Sequence, residues 1–216
     1  MSKLRFKISI SLDGYVAGVQ QSLENPLGLG GRRLHEWAFA LREFRSMLGM
    51  EGGEVNESTQ VVQEANANIG ATIMGRNMFG GGKGPWPAEN PWNGWWGANP
   101  PYHHPVFVLT QHAREPLVME GGTTFTFVTD GIESALAQAR RAAQGKDVTL
   151  AGGAHAAQQY LRAGLVDEME LNLSPVLLGA GERLFDGLGT DLHGLSLVRT
   201  VAAPKVVHLK FVRAGA

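Results

Sequence analysis

Asp147-Val148-Thr149-Leu150-Ala151-Gly152-Gly153-Ala154-His155 decides how this chain folds. Asp147 to Ala151 is short, largely apolar and bounded by turn residues, which reads as a buried strand. Two glycines then turn the chain at once into Ala154 to Ala163, an amphipathic helix that Gly164 ends. A buried strand running straight into a helix is the unit from which parallel sheets are built. The turn also leaves unpaired amides and the positive end of a helix where an anion could sit, with no side chain in the way. A tight turn that needs glycine only for its backbone angles fits the same spacing.

Working outward, Ala71-Thr72-Ile73-Met74-Gly75 has the same build and leads into Arg76 and Asn77. Pro105 opens another strand, Val106 to Leu109, and Thr124 to Thr129 gives one more, followed by an alanine-rich amphipathic helix over Ile132 to Gln144. Leu4 to Leu12 alternates apolar and polar and is closed by Asp13-Gly14, a common turn pair. Val166 to Val176, Leu195 to Ala202 and Lys205 to Val212 read as strands with no helix between the last two. Leu34, Trp37, Leu41, Phe44 and Leu48, spaced three and four apart, predict a helix. Ser58 to Asn68 predicts a second, capped by Ser58 or Thr59. Gly80 to Pro105 holds four of the five tryptophans among many glycines and prolines. It predicts an ordered, irregular loop packed on something. The order predicts one α/β domain over 1–216, parallel at the centre of its sheet, with helices on both faces and antiparallel C-terminal strands. Residues 18–58 and 80–105 are its long loop or insert segments.

Composition narrows the function classes. With 44% hydrophobic and 18% charged residues, the 216-residue chain has the make-up of a soluble globular protein. Its 29 glycines are an excess that fits many close backbone approaches. A net charge of −1 gives no global field for nucleic acid or an anionic membrane. Zero cysteines exclude disulfides, thiolate zinc sites and thiol catalysis. No apolar run approaches the roughly 18 residues that span a bilayer. The basic start Met1-Ser2-Lys3 introduces an alternating stretch too short for a signal peptide, so the expected location is the cytoplasm.

Motifs for phosphate binding divide into rejected and retained. Gly28-Leu29-Gly30-Gly31 lacks a third glycine and follows no strand, and Gly179-Ala180-Gly181 fails likewise. Gly82-Lys83-Gly84 lacks the hydroxyl residue of a P-loop. Three strand ends remain: Gly152-Gly153, Gly75-Arg76, and Thr110-Gln111-His112-Ala113-Arg114. Arginine at these places can fork onto a phosphate, or can pair with a surface carboxylate. Ligands of open α/β sheets bind along the edge that all three share. No metal site is expected, since His103 and His104 are adjacent and have no ligand spacing around them.

Five motifs occur in one order: Ser11-Leu12-Asp13-Gly14-Tyr15, Ile73-Met74-Gly75-Arg76, Leu150-Ala151-Gly152-Gly153-Ala154, Leu165-Val166-Asp167-Glu168-Met169, and Pro175-Val176-Leu177-Leu178-Gly179-Ala180-Gly181. The set resembles the dihydrofolate-reductase-like superfamily, and within it the reductase domain of riboflavin biosynthesis and its stand-alone bacterial relatives. The resemblance implies a dihydrofolate-reductase-like three-layer α/β/α fold, NADPH along the sheet edge, and hydride transfer to a small heterocyclic or imine-like substrate. It implies Gly75, Arg76 and Asn77 near the adenosine phosphates, and Thr110, Gln111, His112 and Arg114 near the ribose 2′-phosphate. Gly152, Gly153, Ala154 and His155 would hold the pyrophosphate, and Asp13 and Gly14 would flank the nicotinamide. Riboflavin enzymes often carry a zinc deaminase, for which this chain has no cysteine. Dihydrofolate reductases carry a carboxylate on the first helix, and neither Glu36 nor Glu43 falls at that place. Asp13 is the nearest carboxylate by sequence and the expected catalytic residue, to orient or protonate the acceptor, although an Asp-Gly turn would use the same residue. Trp37, Trp86 and Trp96 are expected to wall the substrate pocket, although sealing a satellite core would use the same rings. The alternative function is a nucleotide-binding module that has lost turnover. A homodimer joined along the C-terminal strands is expected, because an exposed edge must be covered.

Overall fold

Alternation in the first strand sets the layers. In the computed structural model, which describes residues 2–82 and 84–215, β1 (Leu4–Ser11) turns Leu4, Phe6 and Ile10 into the main apolar core. Lys83 of the rejected glycine-lysine-glycine motif lies outside the described residues, as does Met1. The strands that follow are β2 (Tyr15–Ala17), β3 (Ile69–Gly75), β4 (Pro105–Leu109), β5 (Leu117–Val118), β6 (Thr124–Val128), β7 (Asp147–Gly152), β8 (Glu168–Ser174), β9 (Glu182–Arg183), β10 (Leu195–Ala203) and β11 (Val206–Arg213). The helices are α1 (Glu36–Phe39), α2 (Arg42–Met47), α3 (Glu57–Asn66), α4 (Arg76–Phe79), α5 (Ile132–Ala142) and α6 (Ala154–Arg162).

Nine strands form one sheet in the order β10-β11-β8-β1-β7-β3-β4-β6-β5, and β2 pairs with β9 beside it. From β8 to β6 every pairing is parallel, while β11, β10 and β5 run antiparallel to their neighbours. The mixed α/β architecture with its antiparallel C-terminal strands is therefore as expected. Parallel pairing has one consequence for function. Ser11, Gly75, Leu109, Val128, Gly152 and Ser174 all end their strands on the same edge.

The two faces of the sheet are covered differently. On one, α5 and α6 pack Ala135, Leu136, Ala139, Ala157, Tyr160 and Leu161 onto the apolar positions of β1, β3, β7 and β8. The other face is split. Over β3, β4 and β6 the covering is the irregular segment 80–104, whose Trp86, Trp92 and Trp96 pack on Met74, Val106, Val108, Phe125 and Phe127. Over β1, β8 and β11 the paired positions are polar, with Lys7 beside Glu170, Ser9 beside Asn172 and Ser11 beside Ser174. His208 and Lys210 of β11 continue those rows.

Element positions differ from the sequence reading at a few points. The helix expected from Leu34 to Leu48 is broken into a 3₁₀ turn, α1 and α2. Leu41 is extended there, because Glu54 enters the break, accepting from the Arg42 amide and donating to the Ala40 carbonyl. The cap of α3 is Asn56, not Ser58 or Thr59. Its side chain accepts from the Ser58 amide while Thr59 closes the reciprocal bond.

Candidate active site

The turn after β7 presents an open backbone cradle. Gly152 sits at φ +115, and a cis peptide leads to Gly153, the N-cap of α6. No side chain caps that helix, so its first-turn amides are left to water or a ligand. A Cβ added to Gly153 would meet nothing within 4 Å. Gly75 of the adjacent strand closes up beside it, since a Cβ there would stand 3.3 Å from the Ala156 Cβ and 3.7 Å from the Gly152 oxygen. Ala154 is buried, and His155 is exposed on the first turn with Gln159 one turn further on.

Beyond Gly75, two arginines gather on one ring. The Arg76 guanidinium lies 3.1 Å from the centroid of Trp86, and that of Arg114 lies 5.0 Å from the same ring. Arg76 donates to the carbonyls of Gly80 (3.2 Å) and Gly81 (3.3 Å), and Arg114 donates to the Trp92 carbonyl and to Asn93 Oδ1 (2.7 Å). Neither pairs with a carboxylate among the described residues. Nη1 of Arg76 is buried and has no hydrogen-bond partner among the described residues. Burial lowers the pKa of both, and Arg114 lowers that of Arg76 further. Guanidinium stays ionised regardless, so the cluster is an uncompensated positive site. The Trp86 N–H donates to the His112 carbonyl (2.9 Å), and the His112 amide donates to Thr110 Oγ1 (3.2 Å), which orders the turn after β4. Gln111 and Asn77 are exposed beside it.

The same loop fixes the end of α4. Trp92 and Trp95 donate their indole N–H groups to the carbonyls of Phe79 and Met78, both at 2.8 Å. These are helix-end carbonyls that otherwise lack donors. Gly80 must be glycine, because a Cβ there would come within 2.7 Å of Trp95.

At the end of β1, the Asp13 carboxylate is engaged by hydrogen bonds from two segments. Its carboxylate accepts from Ser11 Oγ (2.5 Å) and from the amides of Leu178 (3.2 Å) and Gly179 (2.7 Å). The Ser11 hydroxyl, with these amides, holds its pKa down to about 2. A group so firmly ionised accepts hydrogen bonds and does not donate a proton near neutral pH. Asp13 therefore clasps the 175–181 loop to the end of β1, and Gly14 at φ +86 makes the turn that aims it. Arg183 donates to the Asp13 carbonyl (3.1 Å) and lies over the Tyr15 ring at 5.0 Å.

The three tryptophans expected around one pocket are not brought together. Trp86 and Trp96 belong to the cluster over β3, β4 and β6, where Trp86 meets Phe79 and Phe127 edge-on and Trp96 meets Tyr102. Trp37 is buried on the other half with Leu41 and Val206, its N–H on Ser9 Oγ at 3.3 Å. The loop indoles settle where β4 and β6 offer a wide apolar face, and Trp37 lies apart from them. Sequence reasoning missed the clasp on the 175–181 loop and the ring shared by Arg76 and Arg114. Both are contacts between distant segments that carry no periodic signal.

Comparison with known proteins settles the family. The model of the RibD C-terminal domain matches residues 2–209. The chain belongs to the RibD C-terminal domain family. Among solved structures, a provisionally named riboflavin biosynthesis protein of Shewanella sp. PV-4 is 22% identical with a TM-score of 0.61, covering 99% of each chain. The bifunctional diaminohydroxyphosphoribosylaminopyrimidine deaminase/5-amino-6-(5-phosphoribosylamino)uracil reductase of Thermotoga maritima is 14% identical, with a TM-score of 0.56. It is covered over 57% of its length by 99% of this chain. Dihydrofolate reductase of Enterococcus faecalis, solved with NADP(H), gives a TM-score of 0.51 at 13% identity over 98% of this chain and 96% of that one. These likenesses establish the dihydrofolate-reductase-like fold. The uncharacterized protein YwjB of Bacillus subtilis (strain 168) is 32% identical over 89 residues, 41% of this chain and 50% of YwjB. The fold of this RibD-type domain is one that the two reductases named above share. No helix among its described residues is long and apolar enough to cross a membrane.

Proposed function

We propose that this RibD-type domain is an NADPH-dependent reductase that delivers a hydride to a small heterocyclic or imine-like acceptor. The reaction would be of the type of 5-amino-6-(5-phosphoribosylamino)uracil reductase or dihydrofolate reductase. The supporting observation is the pair Arg76 and Arg114 on Trp86, uncompensated and with Nη1 of Arg76 unpartnered, one strand end away from the open Gly152-Gly153 cradle. That donor set fits a dinucleotide bearing a third phosphate. Gly152, Gly153, Ala154 and His155 would hold the pyrophosphate at the start of α6. Arg76, Asn77, Thr110, Gln111, His112 and Arg114 would hold the adenosine end and its 2′-phosphate. NADPH, when bound, supplies the hydride. Asp13 keeps the 175–181 loop in place beside the nicotinamide end, and Gly14 lets the chain pass close to it.

A nucleotide-binding module without turnover is the second reading, favoured by one observation: the Asp13 carboxylate is already taken up by the Ser11 hydroxyl and the amides of Leu178 and Gly179. Titration of NADPH and NADH against tryptophan emission, followed by absorbance at the nicotinamide band with a panel of pteridines, aminopyrimidines and imines, separates the two. The enzyme reading expects NADPH to bind about 10- to 150-fold tighter than NADH, the worth of one charge-assisted phosphate contact, and to be oxidised by at least one acceptor. Equal dissociation constants would remove the cofactor assignment, and binding without oxidation across the panel would favour the module. We further propose a cytoplasmic homodimer joined along β10, the outer strand, where Leu197 and Val198 are 53% and 59% exposed. Light scattering that gives the mass of one chain at micromolar concentration would refute it.

A further inference from the structure

Two guanidiniums that share a site without a carboxylate should push each other apart, and more so where water is partly excluded. Here both lie over the Trp86 ring, Arg76 at 3.1 Å and Arg114 at 5.0 Å from its centroid, and Arg114 lies over Phe127 as well, at 5.0 Å. An indole face is the strongest neutral acceptor of a cation among side chains. This ring is also fixed in place. Its N–H is tied to the His112 carbonyl at 2.9 Å, and its edges meet Phe79 and Phe127 at centroid distances of 5.8 and 5.0 Å. The Gly80 and Gly81 carbonyls hold Arg76 on the ring, and Asn93 with the Trp92 carbonyl hold Arg114. Nη1 of Arg76 then remains as a buried donor without a partner among the described residues.

We infer that Trp86 is the positioning residue of a phosphate-monoester clamp: it holds Arg76 and Arg114 together so that both can meet one doubly charged phosphate group. The inference rests on the NADPH reading and sharpens it, because preference for a 2′-phosphorylated cofactor then depends on a ring that makes no contact with the phosphate. Without the ring the two cations have no common support: Arg76 keeps only its two long bonds to the Gly80 and Gly81 carbonyls, and Arg114 keeps Phe127.

Adenosine 2′,5′-bisphosphate and adenosine 5′-monophosphate are the probes, because they differ only in the group that the clamp would hold. Calorimetric titration of the full chain should show the bisphosphate binding about 10- to 150-fold tighter. Trp86→Leu should bring that ratio to within about 3-fold of unity while leaving the monophosphate affinity nearly unchanged, a split that general loosening of the fold would not produce. Trp86→Phe, which keeps a π face, should stay within about 3-fold of the wild-type ratio. If Trp86→Leu does not fold, Trp86→Met, a large apolar filler without a π face, carries the same expectation. A folded Leu or Met variant that keeps the wild-type ratio overturns the role of Trp86, as does a Phe variant that loses the ratio as fully as Leu. A wild-type protein that binds the two probes equally overturns the NADPH reading itself, and the clamp with it.

Discussion

Acidification from pH 7 to pH 5 should remove about 2 kcal/mol of folding stability through His208 alone. The side chain is fully buried between β8, β11 and α3, with the Trp37 ring edge-on to it at 5.0 Å. Nε2 lies 2.8 Å from Ser58 Oγ and Nδ1 lies 2.7 Å from Asn172 Oδ1. The neutral ring satisfies both, donating from Nδ1 and accepting at Nε2. A second proton would force the Ser58 hydroxyl to turn away and would add a cation near Arg199. Burial, helped by Arg199, accordingly lowers the pKa from 6.5 to about 4. Between those values the unfolded chain takes up a proton that the folded chain refuses. Stability is therefore complete above the unfolded pKa and falls as the pH drops towards the folded one. At pH 5 the difference corresponds to a melting temperature lower by roughly 4–8 °C for a chain of this size. His35, also lowered to about 4 by burial, adds a loss of the same sign, while Glu170, raised by burial, opposes both. Melting scans of the wild type and His208→Gln at pH 7 and pH 5 isolate the contribution. The variant should start lower at pH 7 but lose only about half as much on acidification. An unchanged acid loss in His208→Gln would show that the buried ring is not what titrates.

Arg76→Met should lower NADPH affinity about 10- to 150-fold and leave NADH within a few-fold. Its effect on folding should stay within about 1 kcal/mol, because two long hydrogen bonds are lost together with an unpartnered buried Nη1. Equal losses for both cofactors would refute the assignment to the 2′-phosphate. Asp13→Asn should raise KM by loosening the 175–181 loop while leaving the pH profile of kcat in place. A shifted acid limb would restore Asp13 as a proton donor. Gly153→Ala places a methyl group where the protein has open space, so affinity for NADPH and NADH should fall together by about 10-fold or more. Unchanged binding in the folded variant would return that turn to backbone geometry alone.

Most of the sheet was legible because its strands are continuous and strongly patterned. Leu4, Phe6 and Ile10 announce their common face by period two, and the strand-glycine-helix unit at Gly152-Gly153 fixes the edge. The short pairings of β2 with β9 and of β5 with β6 were not legible, since two or three residues give no period. The helix over Leu34 to Leu48 failed for the opposite reason. Its spacing is good, but Glu54 supplies backbone partners at Leu41 that no local pattern reveals. At the site, Gly75, Arg76, Arg114 and Gly152-Gly153 could be picked out because each follows a strand. The function of Asp13 could not, because the amides of Leu178 and Gly179 that hold it ionised lie far along the chain. Four tryptophans in one loop suggested a pocket wall, with a satellite core as the alternative, and their packing on β4 and β6 could not be read from the loop itself.

A stretch as rich in glycine and proline as 80–104 is ordinarily where a chain is nicked by proteases and where insertions are tolerated. Here the indoles of Trp86, Trp92 and Trp95 each grip a backbone carbonyl, and Met74, Val106, Val108, Phe125 and Phe127 lie beneath. Cutting or shortening the segment would strip half of one sheet face and scatter the two arginines in the same event. On the NADPH reading, cofactor choice and foldability are then inherited as one trait, and a lineage that drifts in this loop risks both together.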